Sequence, residues 1–550
     1  MTYNFRFRRS CVFAGFALFF LSALPGTIYA QLTASDVQAI ITRAVSTAAS
    51  LNQKVSVTVA DHEGNLIGAF VMVGALPNTR IRSVGRAGQG LEDFVAPSIL
   101  AAQSKAQTAA IFSSGGNAFT TRTASFIIQE HIPPGIDFRP GGPLYGVQFS
   151  SLLCSDIAVA GLPLGLSGDP GGIPLYKNGV AVGGVGVEGD GLYTVDRVPT
   201  DNDQPFEEVI AAAAAIGFEA PPLIRGDNIL VDGVRLPFGN VPNPPVVAPL
   251  AVLPGFFTVP PQPARPSDLI PSTLRGVQGE RSMRFPTVAG ATISIAETEQ
   301  ILGDAAAIAN ITRAAIRQPI GSNARVTMAV VDVNGKVTGI FRQRDAPLFG
   351  LDVAVQKARS AAFFARPDAG AKLTAAGFGS YVARAAADGL PLNGNIAFTD
   401  RAIGFLHRPF FPDGINGAPA GPFSTPIEDW SPFNVGLQSD LIKEALTGPP
   451  LFCRQGGRSK REVLPPCPCV LQIPEIPNGL QIFAGSIPLY RGSTFIGAIG
   501  ISGDGIDQDD FVAAAGAQNF APPVAMRSDQ ILVRGIRLPF VKFPARPTLP

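Results

Sequence analysis

The chain repeats itself, and this duplication constrains its fold more than any other feature. Residues 173–191 read IPLYKNGVAVGGVGVEGDG and residues 487–505 read IPLYRGSTFIGAIGISGDG, with nine of nineteen positions identical. Chance identity is only about 5–7% per position, even for common residues. Further matching pairs follow in the same order, ending with ILVDGVRLPF and ILVRGIRLPF. Because each copy spans about 200–250 residues, the repeat predicts two homologous domains and not a solenoid of short units.

The glycines of these two stretches argue against a nucleotide-binding loop. Residues 184–189 spell G-x-G-x-x-G, but Ala498 takes the place of Gly184 in the second copy. A dinucleotide-binding loop also opens a helix after the first strand of a βαβ unit, whereas these glycines follow a hairpin turn. The glycines that both copies share, such as Gly186 and Gly500, predict instead that another backbone or a flat ligand approaches the sheet closely.

Both copies show the same order of predicted elements. A capping box begins each first helix, with Thr33 and Asp36 in the first copy and Ser294 and Glu297 in the second. Two alternating strands, a second helix, an irregular segment rich in glycine and proline, another strand pair and an alanine-rich helix follow. The order α-β-β-α-β-β-α with antiparallel hairpins predicts an α+β layer fold.

The two copies are joined by a segment that is dense in proline. Such a composition predicts an extended, polyproline-like connection, and its leucine and phenylalanine residues predict that it lies along a domain surface. The expected boundaries are 31–240 for the first unit, 241–289 for the connection and 290–545 for the second unit, with inserts near 370–396 and 440–470.

The N-terminus predicts an exported protein. Residues 1–30 hold three arginines, an apolar run of fourteen residues and a final small residue, Ala30, which is the pattern of a cleaved secretory signal. No later stretch is apolar for long enough to form a membrane helix, so no membrane association is expected after cleavage. The net charge of +1 gives no indication of nucleic-acid binding. The expected location is therefore the periplasm or the extracellular medium.

Four cysteines would remain after cleavage: Cys154, Cys453, Cys467 and Cys469. An even number in an oxidising compartment favours disulfides, with the pairing left open. A metal site is the alternative, but the Cys-Pro-Cys spacing is tighter than the usual C-x₂-C clamp and no histidine lies nearby.

The motifs of both copies resemble the haem-degrading HbpS/GlcG-like family. The resemblance rests on the opening helix, the D-x-x-G-x turn, the K-A-x-x-A-A-x-F helix and the IPLY strand pair. It covers most of both units but not the connection or the inserts. In the first copy these motifs are residues 33–50, 61–65, 105–112 and 173–189.

The resemblance implies two copies of a profilin-like (GlcG-like) domain, an antiparallel sheet with packed helices. It also implies a small-molecule-binding protein that self-associates, here as a homo-oligomer or as an intramolecular pseudo-dimer. The family is linked to the binding of haem or corrinoids and to the handling of iron released from haem. Haem degradation by this chain is implied only by the resemblance, so whether it is an enzyme stays open.

Histidines are scarce, and none is duplicated: His62, His131 and His407. Haem iron is most often held by His, Met, Cys or Tyr. We take His131 as the candidate axial and metal ligand, with a histidine that interacts with a helix dipole as the alternative. Tyr145 is the second candidate, and a packed ring with a tethered hydroxyl is its alternative.

Two cations are duplicated, since Lys105 matches Lys357 and Arg122 matches Arg401. Haem propionates or another carboxylate ligand would need such partners, but structural salt bridges would use them equally well. Three functions therefore stay open. They are binding of haem or a related tetrapyrrole, a non-catalytic structural or assembly role, and sensing of a small carboxylate.

Overall fold

The computed structural model describes residues 30–542, apart from residues 137, 140, 154, 159, 199–200, 232 and 448–472. The predicted signal segment before Ala30 and all the cysteines lie outside the described residues. Among the helices that are described, none is long and apolar enough to cross a membrane.

The first unit contains four helices and nine strands among its described residues. In chain order they are α1 (Ala34–Ser50), β1 (Ser56–Asp61), β2 (Leu66–Met72), β3 (Asn78–Ile81), β4 (Val95–Pro97), α2 (Ser98–Phe112), α3 (Thr121–Ile127), β5 (Gly172–Lys177), β6 (Val180–Glu188), β7 (Leu192–Tyr193), α4 (Phe206–Ala214), β8 (Leu230–Val231) and β9 (Val234–Arg235).

The connection and the second unit continue the chain with further strands and helices. In chain order they are β10 (Gly255–Val259), β11 (Leu269–Leu274), β12 (Val277–Ser282), α5 (Ile295–Ala309), β13 (Val326–Asp332), β14 (Val337–Gln343), α6 (Gly350–Phe364), α7 (Ala369–Leu373), α8 (Gly379–Ala387), α9 (Asp400–Leu406), α10 (Leu437–Thr447), β15 (Ser486–Arg491), β16 (Thr494–Gly503), α11 (Ile506–Gly516), β17 (Leu532–Val533) and β18 (Ile536–Arg537).

Each unit is built on one antiparallel sheet with helices packed against it, so the predicted α+β class is confirmed. The strand orders are β10-β2-β1-β6-β5 in the first unit and β11-β12-β14-β13-β16-β15 in the second. The central pairs have the same register, because Val59 lies opposite Val185 and Val330 lies opposite Ile499. A small sheet, β4-β3-β7, is present in the first unit only among the described residues.

The capping boxes form as predicted and fix where the first helix of each unit begins. The Thr33 hydroxyl accepts from the Asp36 amide at 3.2 Å, and the Asp36 carboxylate accepts from the Thr33 amide at 2.7 Å. Ser294 and Glu297 repeat this arrangement at α5. The apolar face of α1 is buried against the sheet because its apolar residues recur at helical spacing.

The shared glycines let a helix backbone contact the sheet. A Cβ added at Gly186 would lie 2.1 Å from the Ala102 carbonyl oxygen of α2. At Gly500 the same atom would lie 2.1 Å from the Ala354 carbonyl oxygen of α6. Of the two predicted reasons for these glycines, the approach of another backbone is therefore the one that the structure shows.

The connection is more regular than its proline content predicts. Strand β10 pairs with β2, where Phe257 lies opposite Phe70 and the two rings pack at 5.0 Å. The hairpin β11–β12 pairs in turn with β14. The β2 edge of the first sheet would otherwise have unpaired backbone groups, and the proline-free stretch 255–259 pairs with them and partly buries Phe257. Residues 260–267 have no regular secondary structure.

Each unit has its own cluster of buried apolar residues, and a further cluster spans both units. The largest cluster of buried apolar residues draws members from both units. The ring of Phe112 packs edge-on against that of Phe349 at 4.7 Å, and the Phe349 amide donates to the Ile111 carbonyl at 3.2 Å. The chain therefore forms an intramolecular pair of units joined through apolar packing and backbone hydrogen bonds.

Candidate functional site

Lys105 lies at the centre of a buried acidic cluster in the first unit. Its Nζ is 2.8 Å from an Asp169 oxygen, 2.9 Å from a Glu188 oxygen and 2.5 Å from a Glu207 oxygen. The lysine comes from α2, Glu188 from the end of β6 and Glu207 from the first turn of α4. Burial raises the pKa of Glu207 to about 8, although the nearby Lys105 ammonium acts in the opposite direction.

The same three carboxylates have the spacing of a metal site. Oxygens of Asp169, Glu188 and Glu207 lie within 4.8 Å of one another, and they are the only such group among the described residues. Lys105 already places a cation among them, however, and burial lowers its pKa less than the three carboxylates raise it. The ammonium therefore takes the place that a metal ion would need.

Arg122 forms a second cluster beside the first. Its guanidinium binds Glu208 through Nε at 3.0 Å and Nη2 at 2.7 Å, and Nη1 lies 2.7 Å from Asp196. Glu208 follows Glu207 in α4, so two adjacent acids hold the two duplicated cations. This is the two-pronged geometry that arginine and a carboxylate favour.

The second unit repeats both clusters with fewer acids. Lys357 Nζ is 2.8 Å from Asp509 and lies 4.4 Å from the centre of the Phe483 ring. Arg401 pairs with Asp510 and with Asp507. The acidic first turns of α11 therefore do more than place charges at a helix N-terminus, because Asp507, Asp509 and Asp510 are the ion-pair partners of the two cations.

All four predicted cation candidates thus lie in ion-pair clusters within their own units. None of them contacts His131 or Tyr145 through the ion pairs described. Sequence reasoning found the cations but missed their acidic partners. The signal that could have found the partners is the pair of consecutive acids that begins the last helix of both copies, 207–208 and 509–510.

His131 lies where a loop of each unit meets, and we call these loops the paired loops. They comprise residues 131–142, of which 137 and 140 lie outside the described residues, and residues 410–421. The His131 ring stacks on Phe410, its counterpart in the second copy, with ring centres 5.9 Å apart and planes 12° apart. The Gly141 amide donates to the Asp413 carboxylate at 3.3 Å.

The hydrogen bond of His131 determines which of its ring nitrogens keeps a free lone pair. Nδ1 lies 2.7 Å from the Arg139 carbonyl oxygen. Because a carbonyl oxygen only accepts, Nδ1 of the neutral ring carries the hydrogen and Nε2 keeps its lone pair. Histidines that bind metals are commonly oriented by such a bond from the other ring nitrogen.

The paired loops also expose apolar side chains. Ile136 is 46% exposed, Phe138 is 70% exposed, and Ile415, the counterpart of Ile136, is 52% exposed. His131, in the same pair of loops, is only 5% exposed. Exposed apolar side chains such as these can contact a large flat apolar ligand.

Tyr145 is fully buried and its hydroxyl is already used. The hydroxyl donates to the His407 carbonyl at 3.0 Å and accepts from Trp430 Nε1 at 2.6 Å. Its ring stacks on Trp430 at 5.6 Å. Burial raises the pKa of Tyr145 above its usual value, which opposes the phenolate that iron prefers.

The other two histidines are held neutral. Burial lowers the pKa of His407 to about 3, and its Nδ1 lies 2.7 Å from the Ile403 carbonyl oxygen. Burial lowers the pKa of His62 to about 4, and Arg342 adds to this effect. The His407 ring also packs against Phe423, with ring centres 5.2 Å apart.

Two cavities lie elsewhere in the described part of the chain. One of about 320 Å³ lies between α8 and α10 and is lined by Tyr381 and Asp440. The other, of about 40 Å³, lies between the units and is lined by Glu63 and Asp352. None of the predicted ligand residues lines either cavity.

Comparison with known proteins connects one segment of the chain to a family. The family model described as "Haem degrading protein HbpS-like" matches residues 460–518, which run through β15 and β16 into α11. The resemblance to this family is thereby confirmed for a segment of the second copy. No protein among the curated sequences matches the chain.

Solved structures with similarity to the chain are small relative to it. The structure named "PduOC:Heme Complex" has 21% identity over 35% of this chain and 98% of that chain, with a TM-score of 0.23. Klebsiella pneumoniae protein ORFY has 18% identity over 36% of this chain and 96% of that chain, with a TM-score of 0.22. A double mutant of Streptomyces reticuli HbpS has 17% identity over 38% of this chain and 98% of that chain, with a TM-score of 0.19.

Proposed function

We propose that the protein binds haem or a related tetrapyrrole at the paired loops, with His131 as the iron ligand. The observation that carries the proposal is the hydrogen bond from His131 to the Arg139 carbonyl, which leaves Nε2 with a lone pair. The exposed apolar residues Ile136, Phe138 and Ile415 provide a surface for the flat macrocycle. The family description of residues 460–518 supports the same ligand class.

Titration of the purified mature protein with hemin tests this proposal. We expect a shifted Soret band for the wild type and its loss in His131→Phe, which gives both paired loops the residue that the second copy already has. Tyr145→Phe is the matched control, because the Tyr145 hydroxyl is already bonded to His407 and Trp430. No shift with the wild type, or an unchanged shift in His131→Phe, would contradict the proposal.

We also propose that the mature protein lies outside the cytoplasm. The pattern of residues 1–30 supports cleavage after Ala30, and the four remaining cysteines would then form disulfides. N-terminal sequencing of protein recovered from the periplasm or medium should find Gln31 first. Mass spectrometry without reductant should find a mass lower by four hydrogens, whereas an intact N-terminus or four free thiols would count against export.

A second candidate function is a non-catalytic assembly protein. The shared core of the two units and the internal pairing of all four duplicated cations favour it. Light scattering together with the absorption spectrum of the purified protein separates the candidates, since a large oligomer that fails to bind hemin would favour assembly. A carboxylate sensor acting through these four cations has less support, because each is already paired.

A further inference from the structure

Arg408 is a cation of the paired-loop region with an unused hydrogen-bond donor. It follows α9 by two residues, and its guanidinium carbon lies 4.2 Å from the centre of the Tyr145 ring. Its Nη1 is buried and has no hydrogen-bond partner among the described residues. Its nearest acid is Asp413, 3.5 Å from Nε, which is longer than a good hydrogen bond.

The first unit makes room for this guanidinium. A Cβ added at Gly141 would lie 2.0 Å from Arg408 Nη1, so a side chain at this position would displace the arginine. Arg408 therefore reaches from the loop of the second unit to the loop of the first. Gln129 occupies the corresponding position in the first copy, so this cation, like His131, occurs only once.

The contrast with the other arginines indicates a function for the spare donor. Arg122 forms ion pairs with three carboxylates and Arg401 with two, whereas Arg408 forms one, at 3.5 Å, and its buried Nη1 has no partner among the described residues. A buried donor without a partner is costly, and a carboxylate is the partner that an arginine fork binds best. An anionic group arriving with a ligand would satisfy it.

We propose that Arg408 binds a carboxylate of the ligand and makes the paired loops selective for tetrapyrroles with free acidic side chains. This inference rests on the proposed function. Arg408 would supply the paired loops with a positive charge that none of the duplicated cations supplies. It predicts recognition by two independent contacts, with His131 directed to the metal and Arg408 to an acidic substituent.

Binding of three probes separates these contacts: hemin, metal-free protoporphyrin IX and protoporphyrin IX dimethyl ester. We expect the wild type to bind protoporphyrin IX at least about tenfold more tightly than its ester. Arg408→Gln should weaken binding of hemin and of protoporphyrin IX by a similar factor and leave ester binding unchanged. His131→Phe should weaken hemin binding alone, because the other probes carry no metal.

Arg534 is the matched control residue. It also lies over an aromatic ring, that of Phe411 at 5.5 Å, but its nitrogens are bonded to Asp388 at 2.7 and 2.8 Å and to the Ala420 carbonyl at 3.0 Å. Arg534→Gln should therefore keep the wild-type preference for the acid. Arg408→Lys keeps the charge without the planar fork and should fall between the wild type and Arg408→Gln, which covers the case that the glutamine variant does not fold.

Different results would overturn the role of Arg408 and the proposed function. An unchanged preference for acid over ester in both Arg408 variants would overturn the role of Arg408 while leaving tetrapyrrole binding intact. Absence of binding of all three probes to the wild type would overturn the proposed function and this inference together.

Discussion

At the scale of single residues, Lys105 is the side chain on which most buried charge depends. Its replacement by methionine leaves Asp169, Glu188 and Glu207 buried without a cation. Removing one partner of a buried ion pair costs about 3–5 kcal/mol. We expect Lys105→Met to lower the free energy of unfolding by this amount, measured by urea denaturation at pH 7.

Lys357→Met is the matched control for this variant, because Lys357 forms one ion pair, with Asp509 at 2.8 Å, and has one further buried acid, Asp400, within electrostatic range. Lys357→Met should therefore lower the free energy of unfolding by less than Lys105→Met does. The three acids of the first unit should also bind a divalent cation once Lys105 is gone, so Ca²⁺ or Mn²⁺ should raise the Tm of Lys105→Met and leave that of the wild type unchanged. Equal losses in both variants would show that the number of acids does not matter.

The pKa of Glu207 predicts how stability depends on pH. Burial raises this pKa from 4.5 to about 8, so the folded state binds more protons than the unfolded state between these values. The free energy of unfolding should therefore fall as the pH rises from about 5 to 8. Denaturation curves across this range should show a shallower decline in Glu207→Gln than in the wild type.

Glu297 offers a control for the pH series. Its side chain is partly buried, which acts to raise its pKa, but hydrogen bonds from Ser294 and Arg491 favour the charged form and lower the pKa on balance. Its contribution is lost only as the pH falls below about 4.5, and glutamine can replace glutamate in a capping box. Glu297→Gln should leave the slope between pH 5 and 8 unchanged, and a slope equal to that of Glu207→Gln would contradict the assignment to Glu207.

At the scale of elements, the sequence predicted those features that interactions between nearby residues determine. The capping boxes at α1 and α5 form because the interacting residues are three positions apart. The hairpin turn that precedes the shared glycines, Asn178-Gly179, forms because both residues adopt positive φ values, of 53° and 79°. The partners of Lys105 and Arg122 escaped prediction because they lie 102 and 86 residues away and look like ordinary acids at a helix N-terminus.

The contact between α6 and β16 gives a prediction at this scale. A methyl group at position 500 would lie 2.1 Å from the Ala354 carbonyl oxygen and 2.5 Å from the Ala358 nitrogen, both of which are backbone atoms. Overpacking of this kind costs about 1–3 kcal/mol. Gly500→Ala should lower the free energy of unfolding by this amount in urea denaturation. Gly379→Ala, whose nearest contact would be 3.4 Å from a threonine methyl group, should be neutral or stabilising, and equal effects would contradict this account.

At the scale of the whole molecule, the packing of the two units creates side-chain contacts that neither copy has alone. The sequence predicted His131 as a ligand, but its stacking on Phe410 requires that two counterpart loops, 279 positions apart, meet between the units. Arg408 was not predicted, since its significance depends on Gly141 of the other unit. The duplication itself was visible, whereas the surface along which the copies pack was not, because a repeat shows which residues correspond and not which of them contact each other.

The shared core predicts that the two units unfold together. Trp430 is the only tryptophan, and it is buried against Tyr145 between the units, so its fluorescence reports on their separation. Far-UV circular dichroism reports on both sheets. We expect the two signals to change at the same urea concentration, because a cluster of buried residues that spans both units makes their unfolding cooperative.

Two substitutions distinguish a single cooperative transition from separation of the units before they unfold. Phe349→Leu weakens a contact between the units, and Phe70→Leu weakens a contact of the first unit with the connection. In a single cooperative transition, each variant shifts the fluorescence and circular dichroism midpoints by equal amounts. A fluorescence transition that precedes the dichroism transition, and does so by more in Phe349→Leu than in Phe70→Leu, would instead show that the units separate before they unfold. The paired loops would then exist only while that interface is closed, and hemin should bring the two transitions together again.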